Sequence, residues 1–434
     1  MTSHEHPVTP QPDHQALDLE RLREGFPALH ENFNGAPAVF LDGPGGTQVH
    51  GSVIAAMSDY FIRRNSNTHG CFATSRRTDA LIEAARRAGA DLLGCDHDEV
   101  VFGANMTSLT MALSRSLAAS ALEPGDEIVL TRLDHDANVA PWLLVAEDVG
   151  ARVRWIELDP RDCTLDLESA RRAITPRAKI VALGYASNLS GSVTDVALVT
   201  RWAHDVGALV YVDAVQLAPH RLIDVRALDC DFLVCSAYKF FGPHVGMLYG
   251  RRALLEPRAL EGAVPRLRAY KVRPADERWE TGTQNHEGLA GATAAIDYLA
   301  SLGGHAEEAP RRERLARAFQ RVAAHERRLL DTLLDGLADI PGARVYGITD
   351  PARRDRRVAT VSLRIGSLAP LTMARSLAEH NIFCWDGDFF AVEPTRALGF
   401  ADAGGFLRIG AVHYNTVAEI ERCLEVLAAL ARRA

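Results

Sequence analysis

Asp231-Phe-Leu-Val-Cys-Ser-Ala-Tyr-Lys239-Phe-Phe-Gly242-Pro243-His-Val-Gly246 is the stretch on which the reading of this chain turns. An apolar run from Phe232 to Cys235 ends in a polar step. A single lysine, Lys239, then sits between two aromatics before Gly242-Pro243 breaks the chain. A buried strand followed by such a loop delivers one amine to the strand's end. Lysine is costly to bury, and a desolvated lysine has a lowered pKa and attacks carbonyls more readily, which is what a Schiff-base lysine needs. By itself the stretch is better explained by a surface lysine following a core strand, since lysine is usually exposed. The surrounding chain decides.

At 434 residues the chain is too long for one core of ordinary size, so two or three domains are expected. A composition of 47% hydrophobic and 24% charged residues is that of a globular protein, and a net charge of -8 gives no reason to expect nucleic acid or an anionic membrane as partner. The seven cysteines are odd in number and scattered, with no Cys-x-x-Cys pair, so neither a disulfide framework nor a metal site is indicated and a reducing cytoplasm fits best. Met1 to His14 is polar and lacks the apolar segment of a signal peptide, and residues 1–16 are expected to be a disordered tail. No apolar run reaches about 18 residues, so no membrane span is expected.

Phe40-Leu41-Asp42 leads into Gly43-Pro44-Gly45-Gly46-Thr47, where glycines let backbone approach a ligand closely, although a plain loop fits equally. Ser52 to Arg64 and Thr78 to Leu93 read as helices. After them, short β-branched runs alternate with helical patterns: strands over 99–102, 127–130, 152–156, 179–183, 209–212 and 231–235, and helices over 107–119, 138–149, 167–174 and 195–206. This alternation predicts an α/β fold with a mostly parallel sheet covered on both faces, in which ligands bind beyond the carboxyl ends of the strands.

The residues at those ends are informative together. Gly103-Ala104-Asn105-Met106-Thr107-Ser108 is a small-residue turn opening a helix, whose free N–H groups suit a phosphate. His135, Asn188, Asp213, Gln216, Ser236 and Lys239 follow at successive strand ends. Helix capping or loop structure explains each of them singly. Jointly they place a phosphate site, an imidazole, amides, a carboxylate and an amine on one sheet edge, the inventory pyridoxal 5'-phosphate requires. Asp213 would keep the pyridine nitrogen protonated and so make the ring an electron sink. His135 would stack on the ring, Asn188 and Gln216 would donate to the phenolic oxygen, and Lys239 would join the aldehyde and later move the α proton.

Asp-His-x-Ala-Asn at 134–138, Ser-Asn-x-x-Gly at 187–191, Asp-Ala-x-Gln at 213–216 and Ser-x-x-Lys at 236–239 together resemble the fold-type I pyridoxal-phosphate enzymes of the class V aminotransferase group, close to the cysteine desulfurase and selenocysteine lyase branch. The resemblance runs from about Asp42 to Asn415. It implies a seven-stranded-type, mostly parallel sheet flanked by helices in a large cofactor-binding domain over 17–302, whose N-terminal segment packs on a smaller α+β domain over 303–434. It also implies that Ser236 and Tyr238 contact the cofactor, with Tyr238 standing where that branch has histidine. Arg278 to Asn285 is similar to the segment that lends a Gly-Thr pair, here Gly282 and Thr283, to the phosphate of a neighbouring subunit. A homodimer with shared sites is thereby implied. Arg408 is similar to the arginine that holds the substrate carboxylate, a role suited to a planar bidentate donor.

One departure bears on function. The desulfurases carry their persulfide-forming cysteine in a loop of pattern Arg-x-Gly-x-His-Cys-Ala. The corresponding stretch here is Trp385-Asp386-Gly387-Asp388-Phe389-Phe390-Ala391, with Phe390 at the cysteine position. Cys384 lies earlier, in an expected strand over 382–385. The reading favoured is therefore a carbon–sulfur β-lyase acting on a cysteine S-conjugate and releasing thiol, pyruvate and ammonia, with Phe390 lining a pocket for the S-substituent. Desulfuration, transamination, epimerisation and decarboxylating deamination use the same scaffold and stay open. A non-catalytic binding protein of the same fold is disfavoured, because no appended DNA-binding module is visible.

Overall fold

Seven strands form the large sheet: β1 (Val100–Gly103), β2 (Glu127–Thr131), β3 (Arg152–Ile156), β4 (Ala178–Gly184), β5 (Leu209–Asp213), β6 (Phe232–Ser236) and β7 (Gly246–Gly250), in the spatial order β1-β7-β6-β5-β4-β2-β3. The computed structural model describes residues 16–33, 35–255, 269, 278–304 and 309–433; the expected tail thus lies almost wholly outside the described residues. All neighbours pair in parallel except β7, which runs antiparallel to both β6 and β1. Central strands such as β5 and β6 are buried along their length, as strands covered by helices on both faces must be.

Strand β7 was not anticipated, because its Gly-Met-Leu-Tyr-Gly sequence is short and flanked by glycines. Gly246, opposite both Ser236 and Gly103, is where this strand enters the sheet. A Cβ there would fall 2.5 Å from the backbone carbonyl carbon of Asn105, so only glycine lets the Asn105 turn lie across it. The helix His286–Ser301 was also missed. Its Ala/Gly-rich surface is buried on most sides, so it shows no amphipathic stripe. The helix expected from Thr78 begins at Ala73, because its first turn is anchored by hydroxyls: Ser75 donates to the Asn67 carbonyl at 2.6 Å and Thr78 to that of Arg64 at 2.9 Å.

A second, antiparallel sheet comprises β8 (Ala343–Tyr346), β9 (Thr360–Ile365), β10 (Trp385–Gly387) and β11 (Phe406–Gly410), ordered β8-β9-β11-β10. Helices Arg311–Ala338, Pro370–Glu379 and Val417–Ala431 contribute leucines and isoleucines to its own core. The strand expected over 382–385 is two pieces. Ile382–Phe383 pairs in parallel with Val39–Phe40, and after Cys384 the chain re-pairs with β11. This switch of partners brings the Asp42–Gly46 loop, Arg408 and the loop after β10 over the carboxyl edge of the large sheet.

Candidate functional site

A cavity of about 980 Å³ opens at that edge. It is lined by the predicted Asn105, Met106, Thr107, His135, Asn188, Asp213, Gln216, Ser236, Tyr238, Lys239, Phe390 and Arg408. Gly282 and Thr283 are exposed and lie outside this lining.

Lys239 reaches the cavity from a single turn after β6 and donates a hydrogen bond to the Pro44 carbonyl. Burial lowers its pKa to about 7, with Arg408 repelling the charge and Asp213 and Asp42 partly restoring it. The amine is therefore substantially neutral near neutrality, the state that attacks carbonyls and takes protons. Asp213, at the end of β5, is pushed up to about 6 by burial, against an opposing hydrogen bond from the Val215 N–H at 2.9 Å. A buried carboxylate that is still mostly ionised at neutral pH seeks a cationic N–H partner.

His135 accepts from the Ala137 N–H at 3.0 Å through Nδ1, which leaves the proton of the neutral ring on Nε2. Burial, then Lys239 and Arg408, holds its pKa down at about 4, so it is a flat neutral ring. Asp134, beside it, is a residue whose structural role the sequence did not reveal. It accepts from Thr131 Oγ1 at 2.6 Å, the Gly184 N–H at 2.8 Å and Asn138 Nδ2 at 2.8 Å, tying β2 to β4 beneath the histidine.

The phosphate turn is built as its sequence suggests, with Asn105 capping the helix Met106–Ala121 by accepting from the Ser108 N–H. The Met106 N–H, however, donates to Ser236 Oγ at 2.9 Å, so Ser236 locks this turn to the lysine strand. The amide donors are partly engaged too. Gln216 Nε2 donates to Thr360 Oγ1 at 2.8 Å, and Asn188 Nδ2 to the Phe389 carbonyl at 2.9 Å. Each amide retains a second N–H. Arg408, on β11, donates to the Asn188 carbonyl at 3.0 Å and stacks its guanidinium 4.0 Å over the Phe389 ring. Burial lowers its pKa to about 9, which leaves it charged at neutrality.

Buried polar atoms without partners identify what is accommodated. Asn188 Oδ1, Arg408 Nε and Asp42 Oδ1 are all desolvated and unbonded. A buried lysine, a buried carboxylate, a neutral imidazole, a helix-capping turn brought close by Gly246, and an arginine with a free N–H fit pyridoxal phosphate and an amino acid. Tyr238 stacks on His244 (5.0 Å between centroids, 15° between planes), and its carbonyl accepts from Thr47, fixing the lysine loop to the glycine loop.

No cysteine is among the lining residues. Cys384 is sequestered against Cys423, whose hydrogen bond and the surrounding burial hold its thiol well above the usual range. Phe389 and Phe390 both adopt left-handed backbone (φ 59° and 57°), and the Phe390 side chain is 69% exposed at the cavity mouth.

A family model, Aminotransferase class-V, matches residues 39–423. An uncharacterized protein of Mycobacterium tuberculosis is 34% identical over 417 residues, covering 96% of this chain and all of its own length. A probable cysteine desulfurase of Streptomyces coelicolor is 33% identical over 426 residues, covering 95% of this chain and 96% of its own. Among solved structures, the apo cysteine desulfurase of Thermococcus onnurineus superimposes with a TM-score of 0.83 at 27% identity, covering 96% of this chain and 99% of its own.

Proposed function

Since the chain belongs to the aminotransferase class-V family and is a pyridoxal-phosphate-dependent enzyme of carbon–sulfur lyase type, we propose that it cleaves the Cβ–S bond of a cysteine S-conjugate, releasing a thiol, pyruvate and ammonia. One observation carries this reading: none of the cavity's lining residues is a cysteine, and Phe390, which the sequence resemblance sets at the desulfurase cysteine's loop position, lines its mouth. Sulfur then has no enzyme acceptor and must leave with its own carbon substituent.

The bound cofactor supplies the electron sink for the pair left when the Cα–H bond breaks. Asp213 would face its ring nitrogen, His135 its ring, and the Asn105–Thr107 turn with Ser236 its phosphate. Arg408 would hold the substrate carboxylate through its free Nε–H, with Asn188 Oδ1 accepting from the substrate. Lys239, lowered to about 7 by burial, takes the α proton. Loss of that proton from Cα together with departure of the thiolate from Cβ would leave an enamine that takes up water to give pyruvate and ammonia. Trp385, Phe389 and Phe390 line the cavity and would surround the departing substituent.

The same reading assigns the protein to the cytoplasm, where free cysteines persist. Among the described residues no helix is long and apolar enough to cross a membrane. It also takes the enzyme as a homodimer. Ile54, Phe61, Ile62 and Phe72 are exposed apolar residues on the helix Gly51–Arg63 and the loop after it, and Gly282 and Thr283 are exposed, which supports a second copy covering them.

Incubation with L-cysteine and with S-methyl- and S-benzyl-L-cysteine tests the chemistry. Equimolar pyruvate and thiol from the S-substituted compounds is the expected result. Alanine with enzyme-bound sulfur, or a keto acid that retains the substituent, would refute it.

A further inference from the structure

The large sheet parts at the site. Between β2 and β4 the ladder ends at Val129 opposite Val181, two residues short of the end of β2 and three short of the end of β4. The pairings on either side continue: β3 follows β2 as far as Ile156 opposite Thr131, and β5 follows β4 as far as Asp213 opposite Gly184. A gap therefore opens within the sheet, with Thr131 on one lip and Gly184 on the other. Such a parting makes the crevice in which α/β sheets bind ligands. It also leaves backbone groups to be satisfied and the spacing of the two lips to be fixed.

Asp134 closes that gap with a single side chain. Its Oδ1 accepts from Thr131 Oγ1 at 2.6 Å and from the Gly184 N–H at 2.8 Å, and its Oδ2 accepts from Asn138 Nδ2 at 2.8 Å. The side chain is buried, and a Cβ on residue 184 would fall 2.9 Å from Oδ1, so glycine at that lip is what admits it. The Asn138 N–H in turn donates to the His135 carbonyl at 2.8 Å. A carboxylate next in sequence to His135 thus grips the residue that pairs with Asp213. Burial raises its pKa to about 7 and the Asp213 charge acts in the same direction, so the two acids sense one another. A buried carboxylate held by three neutral donors is a costly way to join two strands that could have paired directly. Direct pairing would have left no crevice.

We propose that Asp134 is a positioning residue for the cofactor, fixing the separation between His135, which would cover the face of the ring, and Asp213, which would meet its nitrogen. This rests on the reading of the floor as a pyridoxal-phosphate site. Asp134 borders the cavity, but in this role it acts through the two residues it spaces rather than on the reacting atoms.

Visible circular dichroism of the bound cofactor reads the placement of its ring, and release on dilution reads its affinity. In Asp134→Ala the dichroism per bound cofactor should fall by about half, the cofactor dissociation constant should rise about tenfold, and kcat should fall about a hundredfold with KM nearly unchanged. Asp134→Asn sets a donor against the Asn138 amide and should show smaller losses of the same kind. Adding Asn138→Asp to it restores a donor facing an acceptor, and most of the dichroism and affinity should return. Leu333→Ala, in the core beside the second sheet, is the control for instability alone: its urea midpoint should fall and its dichroism stay that of wild type. Unchanged dichroism and affinity in a destabilised Asp134→Ala, or a double variant no better than Asp134→Asn, overturns the proposal, as does an equal loss of dichroism in Leu333→Ala. The expected changes in dichroism and affinity, with no pyruvate from any S-conjugate, would instead refute the lyase reading and leave the positioning role standing.

Discussion

Burying an amine that must be neutral to act leaves a signature in stability that can be measured without any substrate. In the folded protein the Lys239 pKa is lowered from 10.5 to about 7, mainly by desolvation. Below pH 7 the lysine is charged in both the folded and unfolded states, and the folded state carries the whole desolvation penalty. As pH rises from 7 to 10.5 the unfolded chain binds the extra proton, so stability rises with pH. The interval between 10.5 and about 7 corresponds to an upper bound of about 5 kcal/mol. The attraction of Asp213 and Asp42 is already contained in the lowered value, and partial solvent contact can only reduce the penalty below that bound. Lys239→Met replaces the amine with an apolar chain of similar length. In cofactor-free protein this variant should be more stable than wild type by up to about 5 kcal/mol at pH 6.5, and the gap should narrow steadily above pH 7 and close by about pH 10.5. Urea unfolding followed by tryptophan fluorescence at several pH values reads this directly. A gap that is flat or widens between pH 7 and 9, or a methionine variant less stable at pH 6.5, would refute the placement of a strained amine at this position.

Other consequences follow from single contacts. Arg408→Lys keeps the charge but loses the planar fork and the stacking on Phe389, so KM for the amino acid should rise about a hundredfold with a smaller change in kcat; an unchanged KM would remove Arg408 from the carboxylate site. Glu280 is 3% exposed and accepts from Arg86 Nη2 and the Phe102 N–H, both at 2.9 Å, so Glu280→Ala should cost about 3 kcal/mol by strand-edge and ion-pair loss, read as a lowered urea midpoint. Gly246→Ala places a methyl 2.5 Å from the Asn105 carbonyl carbon, and cofactor retention on gel filtration should fall at least about tenfold, well beyond its effect on thermal unfolding. Phe390→Gly should leave stability unchanged or raise it by up to about 1 kcal/mol, whereas a glycine at an ordinary exposed loop position is mildly destabilising.

The parallel strands were legible because each is a short apolar run between helical patterns, and the gathering of the candidate residues around one cavity because strand ends in such sheets converge on one edge. What escaped were features whose cause lies outside the local pattern. β7 depends on a glycine accommodating a neighbouring turn, and the helix His286–Ser301 is buried too evenly to show a periodic face. Asp134 stood in a motif already noticed, yet its role as the bracket between Thr131, Gly184 and Asn138 is written only in three dimensions. Gln216 shows the converse. Its position was correctly expected at the strand end, but its partner Thr360 comes from the other sheet, across a separation in sequence that no local reading spans.

The loop after β10 shows how the two sheets act on one site. Two consecutive phenylalanines in the left-handed region cost roughly 1–2 kcal/mol each, and an exposed aromatic at 390 returns little of this by burial. The compensation comes from two hydrogen bonds across the cavity, the Asp136 N–H to the Phe390 carbonyl at 2.7 Å and Asn188 Nδ2 to the Phe389 carbonyl at 2.9 Å, and one within the loop, the Phe390 N–H to Asp388 Oδ1 at 3.0 Å. Arg408 completes the clamp by stacking on Phe389. Residues beside the cofactor position and residues over the mouth thus share one network. A shift of Asn188 or Arg408 would pass through Phe389 to Phe390, because both side chains hold the Phe389 residue from the floor of the cavity.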